Sequence, residues 1–89
     1  MKSKYIVGYV RTADGPNLAA IVFPEVVVHA TMAKRMFYNA ESAGFVELYL
    51  DNINGSIGVH CYGKSESLGL DSEPSRDEDF VRVALGLSY

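Results

Sequence analysis

The segment FVELYLDNINGSIGVHCY, residues 45–62, has the sequence pattern of a β-hairpin. Its two halves alternate along the chain, and the stretch between them, 51–55, contains aspartate, asparagine and glycine, which favour turns. Successive side chains of a strand point to opposite faces, so every second residue is predicted to face the core. These residues are Val46, Leu48 and Leu50 before the turn and Ile57, Val59 and Cys61 after it.

The residues before this hairpin indicate another hairpin and a helix. Two apolar segments, 5–10 and 18–23, flank turn formers at 13–17. Apolar side chains at three- and four-residue spacing predict a helix over 30–42, which Gly44 would end. Its buried face is predicted to contain Ala33, Met36, Phe37 and Ala40.

The residues after the 45–62 hairpin predict a long loop and a second helix. The segment from Gly63 onward is polar and rich in glycine and serine, which is typical of a loop. Ser75 and Glu78 fit the S-x-x-E capping box that starts many helices. The buried stripe of this helix is predicted to be Phe80, Val83, Ala84 and Leu87.

Together these elements predict a single α+β domain over residues 1–89. The expected order is β-β-α-β-β-α, with a four-stranded, mainly antiparallel sheet and two helices packed on one face. The second face would carry tyrosines and a histidine, which are common at interfaces, so we expect a homo-oligomer. That face would contain Tyr5, Val7 and Tyr9 on the first strand, Tyr49 on the third, and His60 and Tyr62 on the fourth.

Composition excludes several classes of protein. The net charge is −3 and the basic residues are scattered, whereas a binder of duplex nucleic acid needs a dense positive face. No apolar run approaches the length of a membrane span, so no membrane partner is expected. A single cysteine and no signal-peptide pattern favour the cytoplasm.

The stretch GVHCYGKS, 58–65, matches the phosphate-binding pattern G-x-x-x-x-G-K-[ST]. However, 59–62 alternate as a strand does, and no helix is predicted to follow, so the context of a P-loop enzyme is missing. A smaller possibility is an anion site where the strand enters the loop. The candidate ligand-binding residues are Arg35, His60, Tyr62, Lys64, Ser65, Ser67 and Arg76.

The sequence offers no assembled catalytic set. His60 and Cys61 are adjacent on a strand, so their side chains point to opposite faces and do not form a thiolate–imidazole pair. Two histidines and one cysteine without close spacing do not indicate a zinc site. We therefore expect no catalytic residues, no metal and no cofactor.

Three stretches resemble small uncharacterised proteins encoded by tailed bacteriophages and prophages. They are FPEVVVHATMA (23–33), SAGFV (42–46) and CYGKSESLGLDS (61–72). The resemblance implies an accessory or anti-defence protein of the host cytosol that sequesters a host protein or a small anionic nucleotide. Two alternatives stay open: a small nucleotide-processing enzyme that uses His60 or His29, and a structural or assembly subunit.

Overall fold

The computed structural model describes residues 2–53 and 55–87 of the chain. Within these ranges the order is β-β-α-β-β-β-β-α, which confirms the α+β class. The order differs from the predicted one because the long loop contains a short two-stranded hairpin. The strands are β1 (Lys2–Thr12), β2 (Gly15–Pro24), β3 (Asn39–Asp51), β4 (Ser56–Tyr62), β5 (Lys64–Ser65) and β6 (Leu70–Asp71), and the helices are α1 (His29–Met36) and α2 (Pro74–Ala84).

Strands β1 to β4 form one antiparallel sheet in the order β2-β1-β3-β4. Both predicted hairpins are present, and each is longer than its apolar segment suggested. Strand β1 lies in the middle and pairs with β2 on one side and β3 on the other. The β1–β3 register shifts between Val7 and Gly8. The small β5–β6 hairpin forms a separate sheet that contacts β3.

The two helices contact opposite faces of this sheet, and not one face as predicted. Neighbouring residues of β1 show this, because Tyr5 packs in the cluster beneath α2 whereas Ile6 packs in the cluster beneath α1. The α2 cluster contains Tyr5, Val7, Val46, Val59, Cys61 and Val81. The α1 cluster contains Ile6, Phe23, Ala33, Phe37 and Ala43.

This arrangement corrects the predicted second face. Tyr5 and Val7 are fully buried under α2, whereas Tyr49 and His60 lie exposed on the other face of the sheet. The alternation along β1 was therefore not a division between core and solvent. Both of its faces are core, and the continuous apolar run YIVGYV, 5–10, is typical of such a strand.

Helix α1 is shorter than predicted. It ends at Met36, and the chain from Asn39 onward is already β3. Met36 is half exposed, and Gly44 lies within the strand and does not end the helix. Pairing with β1 gives residues 39–44 backbone hydrogen bonds within a large sheet, and this tertiary gain overrides a weak helix propensity.

Helix α2 is capped and oriented differently from the prediction. Its N-cap residue is Glu73, whose side chain forms no capping bond, and the expected Ser75–Glu78 capping box is absent. Val81 and Asp77 point inward, while Val83 is 74% exposed. The distal part of the β3–β4 hairpin also extends into solvent, where Leu48, Leu50 and Ile57 are exposed.

A buried carboxylate joins α2 to the sheet. Asp77 is fully buried and accepts hydrogen bonds from the hydroxyls of Tyr5 and Ser42, the backbone N–H of Glu73 and the guanidinium of Arg76. Burial, and next the hydrogen bond to Asp77, raise the pKa of Tyr5 well above its ordinary value. The network therefore keeps Tyr5 protonated as a donor, and it ties the first turn of α2 to β1 and β3.

Gly44 occupies a point where three segments meet. A Cβ atom there would overlap the carbonyl oxygen of Tyr62 and press on the side chain of Ser72. The carbonyl oxygen of Gly44 accepts a hydrogen bond from His29 Nε2 at 2.8 Å. Only glycine therefore lets β3, the end of β4 and the segment at Ser72 approach this closely.

We predict that Gly44→Ala lowers the free energy of unfolding by about 2 kcal/mol or more, because backbone atoms must move to admit the methyl group. Urea denaturation followed by circular dichroism measures this change. Gly58→Ala is the matched control, because the atoms in its way belong to the ring of the exposed Tyr49, which can swing aside. Equal losses in both variants would contradict the packing described at Gly44.

Candidate functional site

The most prominent cleft of the described residues has a volume of about 490 Å³. It lies on the α1 side of the sheet, between the start of α1, the beginning of β1 and the segment that leaves β4. Three adjacent strands place Lys4, Phe45 and Tyr62 side by side on its floor. The register of the sheet thus assembles a cation and two aromatic rings that are far apart in sequence.

Three lysines and one carboxylate line this cleft. They are Lys2, Lys4, Lys64 and Glu66. Lys4 Nζ donates to the carbonyl oxygen of Val27 at 2.9 Å, which fixes its position. Among the described residues, no carboxylate lies within ion-pair distance of Lys64. The cleft is therefore lined by more lysines than carboxylates although the whole chain is acidic, and one of these lysines, Lys2, also has its Nζ 3.6 Å from a carboxylate oxygen of Glu25.

A row of rings continues from the cleft along β4. The rings of Phe45 and Tyr62 are stacked with centroids 5.9 Å apart, and those of Tyr62 and His60 are stacked at 5.1 Å. Lys2 Nζ lies 4.3 Å from the centroid of Phe45, within the range of a cation–π contact. The Tyr62 hydroxyl donates a hydrogen bond to Oε1 of Glu47 at 2.7 Å. The row of rings therefore offers partly exposed aromatic edges beside the lysines.

The segment GKSES closes one side of the cleft and caps α1. Gly63 has a φ of 78°, which lets the chain turn out of β4 at low cost. The N-cap residue of α1, Val28, provides no side-chain bond, but the Oγ of Ser67 accepts the N–H of Ala30 at 3.1 Å. Ser65 is buried and its Oγ accepts the N–H of Leu68 at 3.2 Å. The bond from Ser67 joins the loop to the positive end of the helix, and the bond from Ser65 stabilises the loop itself.

His29 forms the inner wall. Its Nε2 donates to the carbonyl oxygen of Gly44, and its ring makes edge contacts with Phe23 and Phe45. Burial lowers the pKa of His29, and the nearby charge of Lys4 lowers it further, although the bond to Gly44 opposes these effects. The neutral ring with a proton on Nε2 has its lone pair on Nδ1, so His29 can accept a hydrogen bond there.

The cleft contains part of the predicted ligand-binding set. Tyr62, Lys64 and Ser67 line it, and Ser65 supports the loop from below. His60 stands just outside, stacked on Tyr62 and with its Nδ1 3.8 Å from a carboxylate oxygen of Glu78. The GKSES segment thus contributes to the cleft of about 490 Å³, although the P-loop match itself is accidental.

Two predicted residues lie elsewhere. Arg76 bonds to Ser42 and Asp77 in the buried network under α2, and Arg35 is an exposed residue in the last turn of α1. Lys2, Lys4 and Phe45 were not predicted. The signal that identifies them is the register of β1 against β3, which places Lys4 opposite Phe45 and is not visible in either strand alone.

Cys61 and the carboxylates do not form a reactive or metal-binding group. Cys61 is fully buried in the α2 cluster, and burial raises the pKa of its thiol to about 12. Over residues 2–53 and 55–87, no three side chains of histidine, cysteine, aspartate or glutamate are placed to hold a metal ion. The lysine, serine, histidine and aromatic groups that line the cleft are suited to noncovalent recognition.

Comparison of the chain with protein-family models, curated proteins and solved structures finds no match. No helix in the described part of the chain is long and apolar enough to cross a membrane. The function is therefore inferred from the cleft itself.

We predict that Cys61 resists alkylation in the folded protein. At about pH 8 a thiol with a raised pKa and no solvent contact reacts slowly with iodoacetamide, and denaturation in urea should restore ordinary reactivity. Mass spectrometry of the intact chain measures the extent of labelling. Rapid labelling without urea would show that Cys61 is accessible in solution.

We also predict that His29 makes the protein acid-sensitive. Its pKa is lower in the folded chain than its ordinary value of 6.5, so the unfolded chain binds the proton first. The contribution of neutral His29 to the free energy of unfolding is complete above about pH 6.5 and is lost as the pH falls below this value. Urea denaturation between about pH 7.5 and pH 5.5 should show a decline that His29→Gln reduces. His60→Gln serves as the control, because it removes the exposed histidine and should leave this decline in place.

Proposed function

We propose that the chain is a non-catalytic binding protein whose cleft takes a small anionic nucleotide. The observation that carries the proposal is the juxtaposition of lysines with a row of stacked rings on one face of the sheet. Lysine ammonium groups suit phosphate, and aromatic rings suit a planar base. Few other small ligands combine both features.

The parts of the cleft suit the parts of a nucleotide. Phosphate groups would lie near Lys64, Lys2 and the first turn of α1, where the positive end of the helix adds to the charge. The base would lie against the exposed edges of the row of rings, next to Tyr62, where aromatic contact adds to the affinity. The lone pair of His29 Nδ1 would accept a hydrogen bond from a hydroxyl or amino group of the ligand.

Sequestration is the mode of action that we propose. The described residues bring together no metal-binding group at the cleft and bury Cys61 on the other side of the sheet, and the resemblance to phage-encoded proteins suggests capture of a host nucleotide. Because capture is stoichiometric, the affinity and the amount of protein would set its effect. A phage origin and an anti-defence role belong to this proposal.

The direct test exposes the purified protein to a panel of linear and cyclic nucleotides and records the melting temperature. A ligand at a hundred times its Kd adds about 2.7 kcal/mol of stability, which raises the melting temperature of a chain this small by roughly ten degrees or more. Mass spectrometry after denaturation then identifies the released ligand. Intact release supports sequestration, new products would indicate the alternative of a nucleotide-processing enzyme, and no shift with any nucleotide would overturn the proposal.

We predict that Lys64→Ala weakens binding of the stabilising nucleotide about tenfold or more, because a charge-assisted hydrogen bond is lost. Titration calorimetry measures the change in affinity. Arg35→Ala is the matched control, because it also removes one positive charge but lies outside the cleft. Tyr62→Ala and Tyr49→Ala form a second pair, in which only the first should weaken binding. Equal effects within either pair would place the ligand elsewhere.

A further inference from the structure

The two edges of the four-stranded sheet differ in how their backbone is protected. At the β4 edge, Glu78 of α2 accepts the N–H of Cys61 at 2.9 Å, and Arg82 donates to the carbonyl oxygen of Ile57 at 2.7 Å. These side chains are hydrogen-bonded to the backbone N–H and C=O groups that another strand would need for pairing. The β4 edge is therefore blocked by its own helix.

The β2 edge has no such protection. Its ten residues, GPNLAAIVFP, include no charged side chain, and the two prolines lie near its ends. In the part of the chain that the structure describes, no side chain bonds to the backbone of β2 between 16 and 23. Soluble proteins usually protect such an edge with lysine, an internal proline or a covering segment. The interior of β2 is thus free to pair.

An apolar groove lies next to this edge. It is formed by Leu18, Ala19 and Ala20 of β2 together with Phe80, Val83 and Ala84 of α2, and its volume is about 210 Å³. Val83 projects from the helix into solvent, with 74% of its surface exposed. The groove and the open edge form one continuous surface that combines free backbone groups with apolar side chains.

We propose that β2 pairs with β2 of a second copy of this chain. The two strands run antiparallel about a two-fold axis perpendicular to the sheet, so that the dimer contains one sheet of eight strands. An antiparallel pair of identical strands closes on itself and leaves no β2 edge free, whereas a foreign strand would need its own matching sequence. Both α2 helices then lie on the same face.

The centre of the strand suits this symmetry. Ala19 and Ala20 lie at the middle of β2, near the two-fold axis, and the small side chain of Ala20, on the α2 side with Leu18 and Val22, lets the two α2 helices approach. Val83 of each copy then packs into the groove of the other. A ten-residue strand is about 34 Å long, and a contact of that length buries on the order of 500–700 Å² per copy. The total of roughly 1,000–1,400 Å² reaches the lower range of specific interfaces.

Light scattering coupled to size exclusion tests the proposal. The wild type should have twice the mass of the 9.8 kDa chain over roughly 5–500 µM. Val83→Lys should give a monomer, because it introduces two like charges into an apolar contact while the exposed position tolerates lysine in the folded chain. Ala19→Lys, which changes β2 itself, should also give a monomer. Circular dichroism checks that both variants fold.

The matched control is Val26→Lys, which makes the same substitution at a 90% exposed valine outside β2 and α2 and should leave the dimer intact. A monomeric wild type at all concentrations would overturn the proposal. A dimer that survives both Val83→Lys and Ala19→Lys would also overturn it, because the contact would then use another surface. The cleft is not part of this contact, so nucleotide binding and dimerisation can succeed or fail separately.

Discussion

The central strand β1 is buried on both faces, and the rest of the structure depends on this constraint. Tyr5 and Val7 must be covered by one layer and Ile6 by another, so the two helices have to lie on opposite sides. Asp77 stabilises one side by accepting a hydrogen bond from the Tyr5 hydroxyl. Truncation of a buried, hydrogen-bonded carboxylate commonly lowers the free energy of unfolding by about 3–5 kcal/mol. With α2 fixed on one face, the other is left for α1 and the cleft.

The cleft results from an incomplete layer. Helix α1 has only eight residues and covers β1 and part of β3, so the aromatic side chains at the β3–β4 end of this face stay partly exposed. Lysines from β1 and from the loop after β4 surround the gap. Strand register therefore determines the chemistry of the cleft, since Lys4, Phe45 and Tyr62 belong to three neighbouring strands.

Local patterns predicted the hairpins and the α+β class, because turn formers and alternation are encoded within about ten residues. They also selected three residues that line the cleft, namely Tyr62, Lys64 and Ser67. The local patterns gave a wrong prediction where contacts between distant residues determine the structure. Residues 39–42 favour a helix locally but pair with β1. Arg76 resembles a ligand-binding residue but belongs to the Asp77 network. Lys2, Lys4 and Phe45 were missed because their proximity depends on register, which the sequence does not state.

The bond from Ser67 to Ala30 has a consequence for how the chain folds. An eight-residue helix without a local cap is unstable alone, and the residue that caps α1 lies 37 positions later. During synthesis, α1 therefore leaves the ribosome long before its cap exists, and it becomes stable only after β4 and the loop have formed. The helix that borders the cleft is early in sequence but late in folding, since its stability depends on contacts of large sequence separation.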